Sequence, residues 1–320
     1  MSDKFFEVKD LCMYYRTRMG SVRAVDEVSF SLGSGETLAL IGESGCGKSS
    51  LAKSLIRLLP RNVETFRGYI CLEGENLMEM SDQQFRKTVQ WQRISMVAQA
   101  ALNSLNPVIK VGEQVIEPLM YHKKVDKKTA LDKAREIFSH IGIPETFIDR
   151  YPFELSGGMR QRTVIAMALI MRPEIIILDE PTSALDVLTQ ANIMNLLKRM
   201  KKESKISFIL ITHDVGLSSE LADKVAVMYA GQVVEFSDAE TFYSSPNHPY
   251  SQGLMASVPT LRQDKTPQYI TGVPISLINP LEGCRFADRC PHRMEICSKN
   301  PPLMDLGENR IVRCWLYAKQ

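Results

Sequence analysis

Eight residues, from Gly42 to Ser49, combine the side chains and the spacing that bind phosphate groups. They read GESGCGKS and match the pattern G-x-x-x-x-G-K-[ST]. The glycines let backbone N–H groups curl around an anion, and the helix expected next adds its positive dipole end. Lys48 is then expected to reach the β- and γ-phosphates of a nucleotide, and the Ser49 hydroxyl to ligate Mg²⁺. A chance match arises in about 1% of chains this long, so the pattern predicts a nucleotide site.

A second set of candidate residues is the acidic end of a short apolar segment. The apolar residues 175–178 predict a buried strand, and Asp179 and Glu180 follow at its carboxyl end, where α/β sheets bind ligands. A carboxylate there can hold Mg²⁺ through water, and Glu180 is placed to polarise an attacking water. An acidic strand end is common by itself, but the upstream phosphate loop favours the functional interpretation.

A third candidate is Ser156-Gly157-Gly158, which lies shortly before the acidic strand. Bare N–H groups and a hydroxyl at the start of a helix can bind an anion. Ser156 could also be an ordinary helix cap, although a cap alone does not explain its place in the chain.

The seven cysteines are unevenly distributed. Three are scattered through the first part of the chain, and four follow near its end with the spacing C-x5-C-x6-C-x16-C: Cys284, Cys290, Cys297 and Cys314. The opening MSDKFFEVKD predicts no export signal, and disulfides are rare in a reducing cytosol, so a metal or iron–sulfur site is favoured. The spacing fits neither ferredoxins nor paired zinc ligands, which leaves the metal open. Four buried cysteines without a metal are the alternative. However, a short, loop-rich segment has too small a core and usually needs a cross-link, such as a bound metal, to be stable.

These residues need an α/β scaffold to position them. GETLALIG predicts a strand that ends in a glycine turn, and SSLAKSLIRLL has helical spacing. Residues 105–150 predict helices, ISFILITHD a buried strand, and KVAVMYAGQVVEF a hairpin. Alternating strands and helices indicate a mostly parallel sheet. Prolines and short turns after residue 245 predict a linker near 260–270 and then a small, irregular, cysteine-bearing unit.

Composition and charge restrict the class of protein. The 320 residues are 44% hydrophobic and 24% charged, as in ordinary globular proteins. No apolar run approaches the roughly 20 residues that span a bilayer. A net charge of +2 gives no reason to expect nucleic acid as a partner.

With Leu155, the Ser-Gly-Gly segment reads LSGG, the signature of the ATP-binding cassette (ABC) ATPases, which residues 5–260 resemble. The resemblance implies that Gln99 contacts Mg²⁺ and the attacking water, and that His213 senses the γ-phosphate. It places Asp186 in the loop that crosses to a partner subunit. Tyr15, or alternatively Tyr14, is expected to stack on adenine.

The resemblance also implies a nucleotide shared between two subunits, one giving the phosphate loop and the other its LSGG. The catalytic residues expected are Glu180, His213 and Gln99, and the Mg²⁺ ligands Ser49, Gln99 and Asp179. The residues expected to bind ATP are Tyr15, Gly42, Ser44, Gly45, Cys46, Gly47, Lys48, Ser49, Ser50, Gln99, Ser156, Gly157, Gly158, Asp179 and Asp186. A second ABC ATPase subunit is therefore an expected partner, with a heterodimer preferred over a homodimer.

Two further segments resemble the oligopeptide/dipeptide importer branch of this family. They are NHPYSQGL at 247–254, followed by the cysteine-rich tail, and SLNP at 104–107. Ala100-Ala101 departs from the Asp-Pro of many relatives. The branch implies a 4Fe–4S cluster on the four tail cysteines, with Zn²⁺ as the alternative. It also implies two membrane permease subunits, whose coupling helices the segment near 100–150 would receive, and an extracytoplasmic substrate-binding protein.

The sequence thus predicts a P-loop NTPase fold of the ABC type, with an antiparallel β subdomain, a helical subdomain at about 100–160 and a cysteine-rich extension. The ATPase domain is expected at 1–262 and the extension at 263–320. The expected function is ATP hydrolysis that drives import of peptides or a related solute, from the cytoplasmic face of the cell membrane. The cargo stays open among peptides, nickel, opines and oligosaccharides. The alternative is a soluble ABC ATPase that acts on nucleic acid or ribosomes, although the coiled-coil insertion or second cassette typical of those proteins is missing from this sequence.

Overall fold

The structure, a computed structural model, describes residues 5–99, 104–258, 269–280, 282–307 and 309–318. The chain forms two compact units. One consists of Met1–Glu79 with Leu210–Gln320 and is called the split unit below; the other, Met80–Ile209, is called the central unit. The departure at residues 100–101 and the predicted boundary between 262 and 263 lie outside the described residues.

The split unit contains an antiparallel sheet in the order β2-β1-β4-β5. Its strands are β1 (Phe6–Thr17), β2 (Gly20–Leu32), β4 (Val63–Leu72) and β5 (Glu75–Asn76). Strand β1 pairs antiparallel with both β2 and β4, and its register with each shifts between Val8 and Cys12. In β1 and β2 apolar and polar residues alternate over part of each strand, as expected where one face of a strand is buried.

A second set of strands in the split unit includes β3, which leads directly into the phosphate loop. They are β3 (Thr37–Ile41), β9 (Lys224–Tyr229), β10 (Gln232–Asp238), β11 (Leu303–Asp305) and β12 (Ile311–Arg313). Strand β3 is wholly buried and pairs parallel with β9, and β9 and β10 form the predicted antiparallel hairpin.

The tail is less irregular than its composition suggested. Strand β12 pairs antiparallel with β10, and β11 pairs with β12, so the tail extends the sheet. Phe286 is buried in the core cluster that contains Ile41 and Tyr250, and Cys284 and Cys290 pack against that cluster. The tail expected to be small and irregular thus contains two short strands, which a sequence pattern does not predict because three residues are too few to show a period.

The helices of the split unit are α1 (Lys48–Leu55), α7 (Val215–Ser219), α8 (Ala239–Ser244) and α9 (Pro249–Ser257). Strand β8 (Ser207–Thr212), wholly buried, crosses the boundary between the two units along the chain. Among the described residues, no helix combines the length and apolar character needed to cross a membrane.

The central unit contains two parallel strands, β6 (Ile94–Val97) and β7 (Ile175–Asp179). Its helices are α2 (Asp82–Thr88), α3 (Val111–Lys123), α4 (Lys127–His140), α5 (Gly157–Leu169) and α6 (Val187–Ser204). Four of them begin at a Ser or Asp whose side chain accepts a hydrogen bond from the backbone N–H three residues on. These caps satisfy donors that the first helical turn leaves unpaired, which sets where each helix starts.

Candidate nucleotide site

The phosphate loop lies between β3, which ends at Ile41, and α1, which begins at Lys48. Gly42 and Gly47 both have positive φ, at 152° and 112°. A Cβ at Gly42 would come within 2.2 Å of the Met228 carbonyl oxygen, and one at Gly47 within 2.0 Å of the Ala24 carbonyl oxygen. Glycine is therefore required at both positions, because the loop passes directly over the backbone of neighbouring strands.

Lys48 lies at the start of α1 with only 6% of its surface exposed. Its Nζ donates hydrogen bonds to the carbonyl oxygens of Gly42 (2.7 Å) and Glu43 (2.8 Å). The ammonium group is thus held inside the curve of the loop. Burial raises the pKa of the adjacent Cys46 thiol, so this cysteine stays neutral beside the lysine.

The two candidate aromatic residues of β1 have different partners. The Tyr15 hydroxyl donates to Oγ of Ser50 across 3.1 Å, which places its half-buried ring beside α1. The Tyr14 hydroxyl donates to the Asp26 carboxylate, and burial, followed by that hydrogen bond, raises the pKa of Tyr14. Of the two, Tyr15 is the one next to a predicted phosphate-binding residue.

Among the contacts of the loop that no motif marks, two involve Glu43. The Tyr250 hydroxyl accepts a hydrogen bond from the backbone N–H of Glu43 (2.9 Å), and Arg289 forms an ion pair with the Glu43 carboxylate. Tyr250 belongs to the segment NHPYSQGL, whose resemblance to the importer branch implies no role at the phosphate loop. Nothing in the sequence links these residues to a loop more than 200 positions earlier.

The acidic residues lie in the central unit. Asp179 is buried at the end of β7, and Glu180 follows with φ at 50°. The Gln99 Nε2 donates a hydrogen bond to Oε2 of Glu180 across 3.2 Å. Because β6 and β7 run parallel, their carboxyl ends bring these predicted catalytic residues together.

The Ser-Gly-Gly segment begins α5, where Oγ of Ser156 accepts a hydrogen bond from the Met159 N–H at 3.3 Å. Ser156 and Gly157 are exposed. Asp186 caps α6 by accepting hydrogen bonds from the N–H and hydroxyl of Thr189, at 3.0 and 2.7 Å. These hydrogen bonds lower the pKa of Asp186 and keep it ionised. Val187 and Leu188, which follow it, are 80% and 77% exposed.

His213 follows β8 and is exposed, and the neighbouring Asp214 caps α7 by accepting from the Leu217 N–H at 2.9 Å. The predicted residues therefore form two sets. Tyr15, the phosphate loop and His213 belong to the split unit. The set in the central unit is Gln99, Ser156, Gly157, Gly158, Asp179, Glu180 and Asp186.

The four tail cysteines interact with one another. The Cys284 N–H donates to the Cys297 carbonyl oxygen (2.8 Å), and the His292 N–H donates to Sγ of Cys290 (3.4 Å). Burial raises the pKa of Cys284 to about 11, and the thiols of the other three add to that increase. Within the described residues, however, no three His, Cys, Asp or Glu side chains are arranged to hold a metal ion. The predicted metal site gains no support from this arrangement.

Comparisons with known proteins place the chain in a family. Residues 25–183 match the family model described as ABC transporter, and residues 234–297 match the one described as oligopeptide/dipeptide transporter, C-terminal region. The ATP-binding cassette MJ0796, solved as a dimer in a post-hydrolysis state bound to ADP and Pi, is similar in structure. Its TM-score is 0.65 at 26% identity, over 73% of this chain and 98% of that one. The predicted ABC ATPase fold is confirmed.

Full-length relatives are more similar in sequence. The oligopeptide transport ATP-binding protein OppD of Bacillus subtilis is 43% identical over 98% of this chain and 89% of its own length. The dipeptide transport ATP-binding protein DppD of the same organism is 43% identical over 99% and 96%. OppD of Escherichia coli is 42% identical over 98% and 95%. The chain belongs to the family of ABC transporter ATP-binding proteins, in the group with the oligopeptide/dipeptide transporter C-terminal region, and it is an ATPase.

Proposed function

We propose that this chain is the ATP-hydrolysing subunit of an importer for peptides or a related solute. The observation that carries the proposal is the full-length similarity to oligopeptide and dipeptide transport proteins, which includes the C-terminal region at 234–297. The alternative, an ABC ATPase that acts on nucleic acid or ribosomes, gains no support from these relatives.

In the proposed mechanism the phosphate loop binds ATP through its N–H groups, and Lys48 contacts the β- and γ-phosphates. The hydroxyl of Ser49, the amide oxygen of Gln99 and the carboxylate of Asp179 would be the Mg²⁺ ligands, and each is an oxygen donor of the kind that Mg²⁺ prefers. Bound there, Mg²⁺ would neutralise charge on the phosphate oxygens.

Glu180 polarises the water that attacks the γ-phosphorus, and His213 contacts the γ-phosphate. The hydrogen bond from Gln99 to Glu180 supports the role of Glu180, because a general base must be held within reach of the proton it accepts.

Two copies of the ABC fold would share each nucleotide, with Ser156, Gly157, Gly158 and Asp186 acting on the nucleotide of the partner. Val187 and Leu188 are adjacent and exposed beside Asp186, which supports this, because contiguous apolar surface marks interaction sites. A heterodimer is preferred over a homodimer. The dimer would bind two permease subunits at the cytoplasmic face of the cell membrane, and an extracytoplasmic binding protein would deliver the cargo.

For the tail we propose a 4Fe–4S cluster on Cys284, Cys290, Cys297 and Cys314, with Zn²⁺ as the alternative. Four thiols form the donor set that either group requires. The hydrogen bond from the Cys284 N–H to the Cys297 carbonyl oxygen supports the proposal, because it holds two of the four cysteines side by side. When bound, the cluster would supply a covalent staple for this segment. The proposed domain limits remain 1–262 and 263–320, with the helical subdomain at about 100–160.

The proposal is tested by nucleotide binding and by partner capture. Lys48→Ala should lose at least about 30-fold in affinity for Mg²⁺ and a non-hydrolysable ATP analogue, whereas Lys53→Ala, at an exposed lysine of the same helix, should not. Unchanged affinity in Lys48→Ala would refute the phosphate-loop assignment. The tagged chain, expressed with its genomic neighbours, should co-purify with two membrane proteins and support peptide uptake by vesicles. Purification with nucleic acid or ribosomes instead would favour the alternative.

A further inference from the structure

Glu43, the second residue of the phosphate loop, is held at three points within the split unit. Its carbonyl oxygen accepts a hydrogen bond from Lys48 at 2.8 Å. Its N–H donates to the hydroxyl of the fully buried Tyr250 at 2.9 Å. Its carboxylate is bound by both terminal nitrogens of Arg289, Nη1 to Oε2 at 2.7 Å and Nη2 to Oε1 at 2.8 Å. Such a bidentate pair fixes direction as well as distance.

Arg289 is itself rigidly held. Its side chain is only 5% exposed, and its Nε donates to the Thr271 carbonyl oxygen at 3.0 Å. The guanidinium carbon lies 5.7 Å from the ring centre of Tyr229 and 5.9 Å from that of Phe286, within the range of cation–π attraction. These contacts fix the position of the Arg289 guanidinium. Its ion pair with Glu43 therefore also restrains the phosphate loop.

The charge of Glu43 matters because of where it lies. A carboxylate at the second position of a loop that binds a triphosphate repels that ligand. The paired guanidinium cancels this charge, and it does so in a largely buried position where solvent screening is weak. Without Arg289 the same carboxylate would be unpaired and free to turn toward the phosphates.

We propose that Arg289 is a positioning residue for nucleotide binding, which neutralises Glu43 and fixes the entrance of the phosphate loop. The cysteine-rich tail is then part of the nucleotide site, since Arg289 directly precedes Cys290. This inference rests on the proposed function of the phosphate loop. The competing interpretation is that Arg289 only attaches the tail to the rest of the split unit.

The two interpretations differ in what a second substitution does. The test is the affinity of the full chain for Mg²⁺ and a non-hydrolysable ATP analogue, measured by calorimetry. Arg289→Ala should weaken binding about tenfold, the order expected from one unpaired charge near the phosphates. Arg289→Ala combined with Glu43→Gln should recover affinity to within about threefold of the wild type, because the repelling charge is gone. A purely structural Arg289 would show no such recovery, since the double variant lacks both halves of the contact.

Arg293→Ala is the matched control, because that arginine pairs with Asp288 on the surface with 61% of its side chain exposed; its affinity should equal that of the wild type. Arg289→Gln, which keeps donors but loses the charge, replaces Arg289→Ala if the latter melts below the assay temperature. Wild-type affinity in the folded Arg289 variant, or a double variant as weak as the single one, would overturn the inference. Lys48→Ala separates the two failures: if it loses binding while Arg289→Ala does not, the loop assignment stands and only the role of Arg289 is refuted.

Discussion

The side-chain amide of Gln99 donates a hydrogen bond to the carboxylate of Glu180 across 3.2 Å. The two residues occupy equivalent places, since Val97 and Leu178 are partners in the parallel register of β6 and β7 and each side chain lies two residues beyond. Glu180 also adopts a positive φ of 50°, which few non-glycine residues do without a constraint. The Ser183 hydroxyl donates a hydrogen bond to the Glu180 carbonyl oxygen at 3.0 Å, and this bond helps to hold Glu180 in that conformation.

We expect Glu180→Gln to bind ATP but to hydrolyse it at least about 100-fold more slowly, the usual contribution of a general base. The amide retains the shape of the carboxylate but cannot accept a proton from water. Phosphate release and analogue affinity, measured on the same preparation, check the result. Glu203→Gln, at an exposed glutamate of α6, should hydrolyse at the wild-type rate. Wild-type turnover in Glu180→Gln would remove the role assigned to Glu180.

The two glycines of the LSGG segment should respond differently to alanine. A Cβ at Gly157 would meet nothing closer than Leu185 Cδ2 at 3.8 Å, which is ordinary contact. A Cβ at Gly158 would lie 2.7 Å from Cγ2 of Thr189, whose hydroxyl is bonded to Asp186. Gly158→Ala must therefore displace the Thr189 side chain and disturb its hydrogen bond to Asp186, and we expect it to lower the free energy of unfolding by about 1–3 kcal/mol.

Gly157→Ala should instead leave the melting temperature unchanged or slightly raised, since alanine favours a helix over glycine. We expect its ATP turnover to fall at least tenfold even so, because the added methyl group would block close approach of a nucleotide held by a partner subunit. Thermal melting and steady-state ATPase assays of both variants test this. Full activity in Gly157→Ala would count against a nucleotide at this surface.

The glycine turn between β3 and α1 could be predicted from the sequence because its requirements are local. Only glycine fits at Gly42 and Gly47, where the loop passes the carbonyl oxygens of Met228 and Ala24. The spacing of these two glycines in the sequence therefore indicates the turn. The helices at 105–150 and the hairpin of β9 and β10 were predicted because each has its own periodicity.

The features that the sequence did not predict depend on contacts between residues that are distant along the chain. Arg289 and Glu43 are 246 residues apart, and neither lies in a periodic pattern that would relate them. Strand β12 is three residues long and forms by pairing with β10. Its existence is therefore a consequence of the fold and not of local propensity.

The tail cysteines carry the next prediction. Protein purified without oxygen should contain about four iron and four sulfide per chain, with broad visible absorption that is lost on oxidation. Cys284→Ser should lose the iron, whereas Cys71→Ala, at a buried cysteine of β4, should retain it. One zinc per chain and no colour would establish the alternative metal. Absence of both metals, with Cys284→Ser as stable as the wild type, would refute a metal site.

A buried histidine predicts how stability depends on pH. His248 is 1% exposed, and its Nδ1 accepts a hydrogen bond from the Tyr250 N–H at 3.0 Å, which caps α9. Burial lowers the pKa of His248 to about 3, and a hydrogen bond to the Arg313 backbone opposes that shift. Protonation of Nδ1 would also abolish the cap. The imidazole is thus neutral in the folded chain, whereas it binds a proton below pH 6.5 once the chain unfolds.

Because the unfolded state binds more protons, the contribution of His248 is fully present above pH 6.5 and is lost as pH falls below that value. Between pH 6.5 and 5 the contribution of His248 to the free energy of unfolding falls by about 2 kcal/mol. Burial raises the pKa of the adjacent Glu235, which acts in the opposite direction, so a single pH profile mixes the two groups. His248→Asn separates them, since asparagine caps a helix without titrating. Denaturant unfolding at pH 5, 6 and 7 should give a smaller loss of stability toward acid in His248→Asn than in the wild type. Parallel profiles for the two proteins would show that His248 does not carry this dependence.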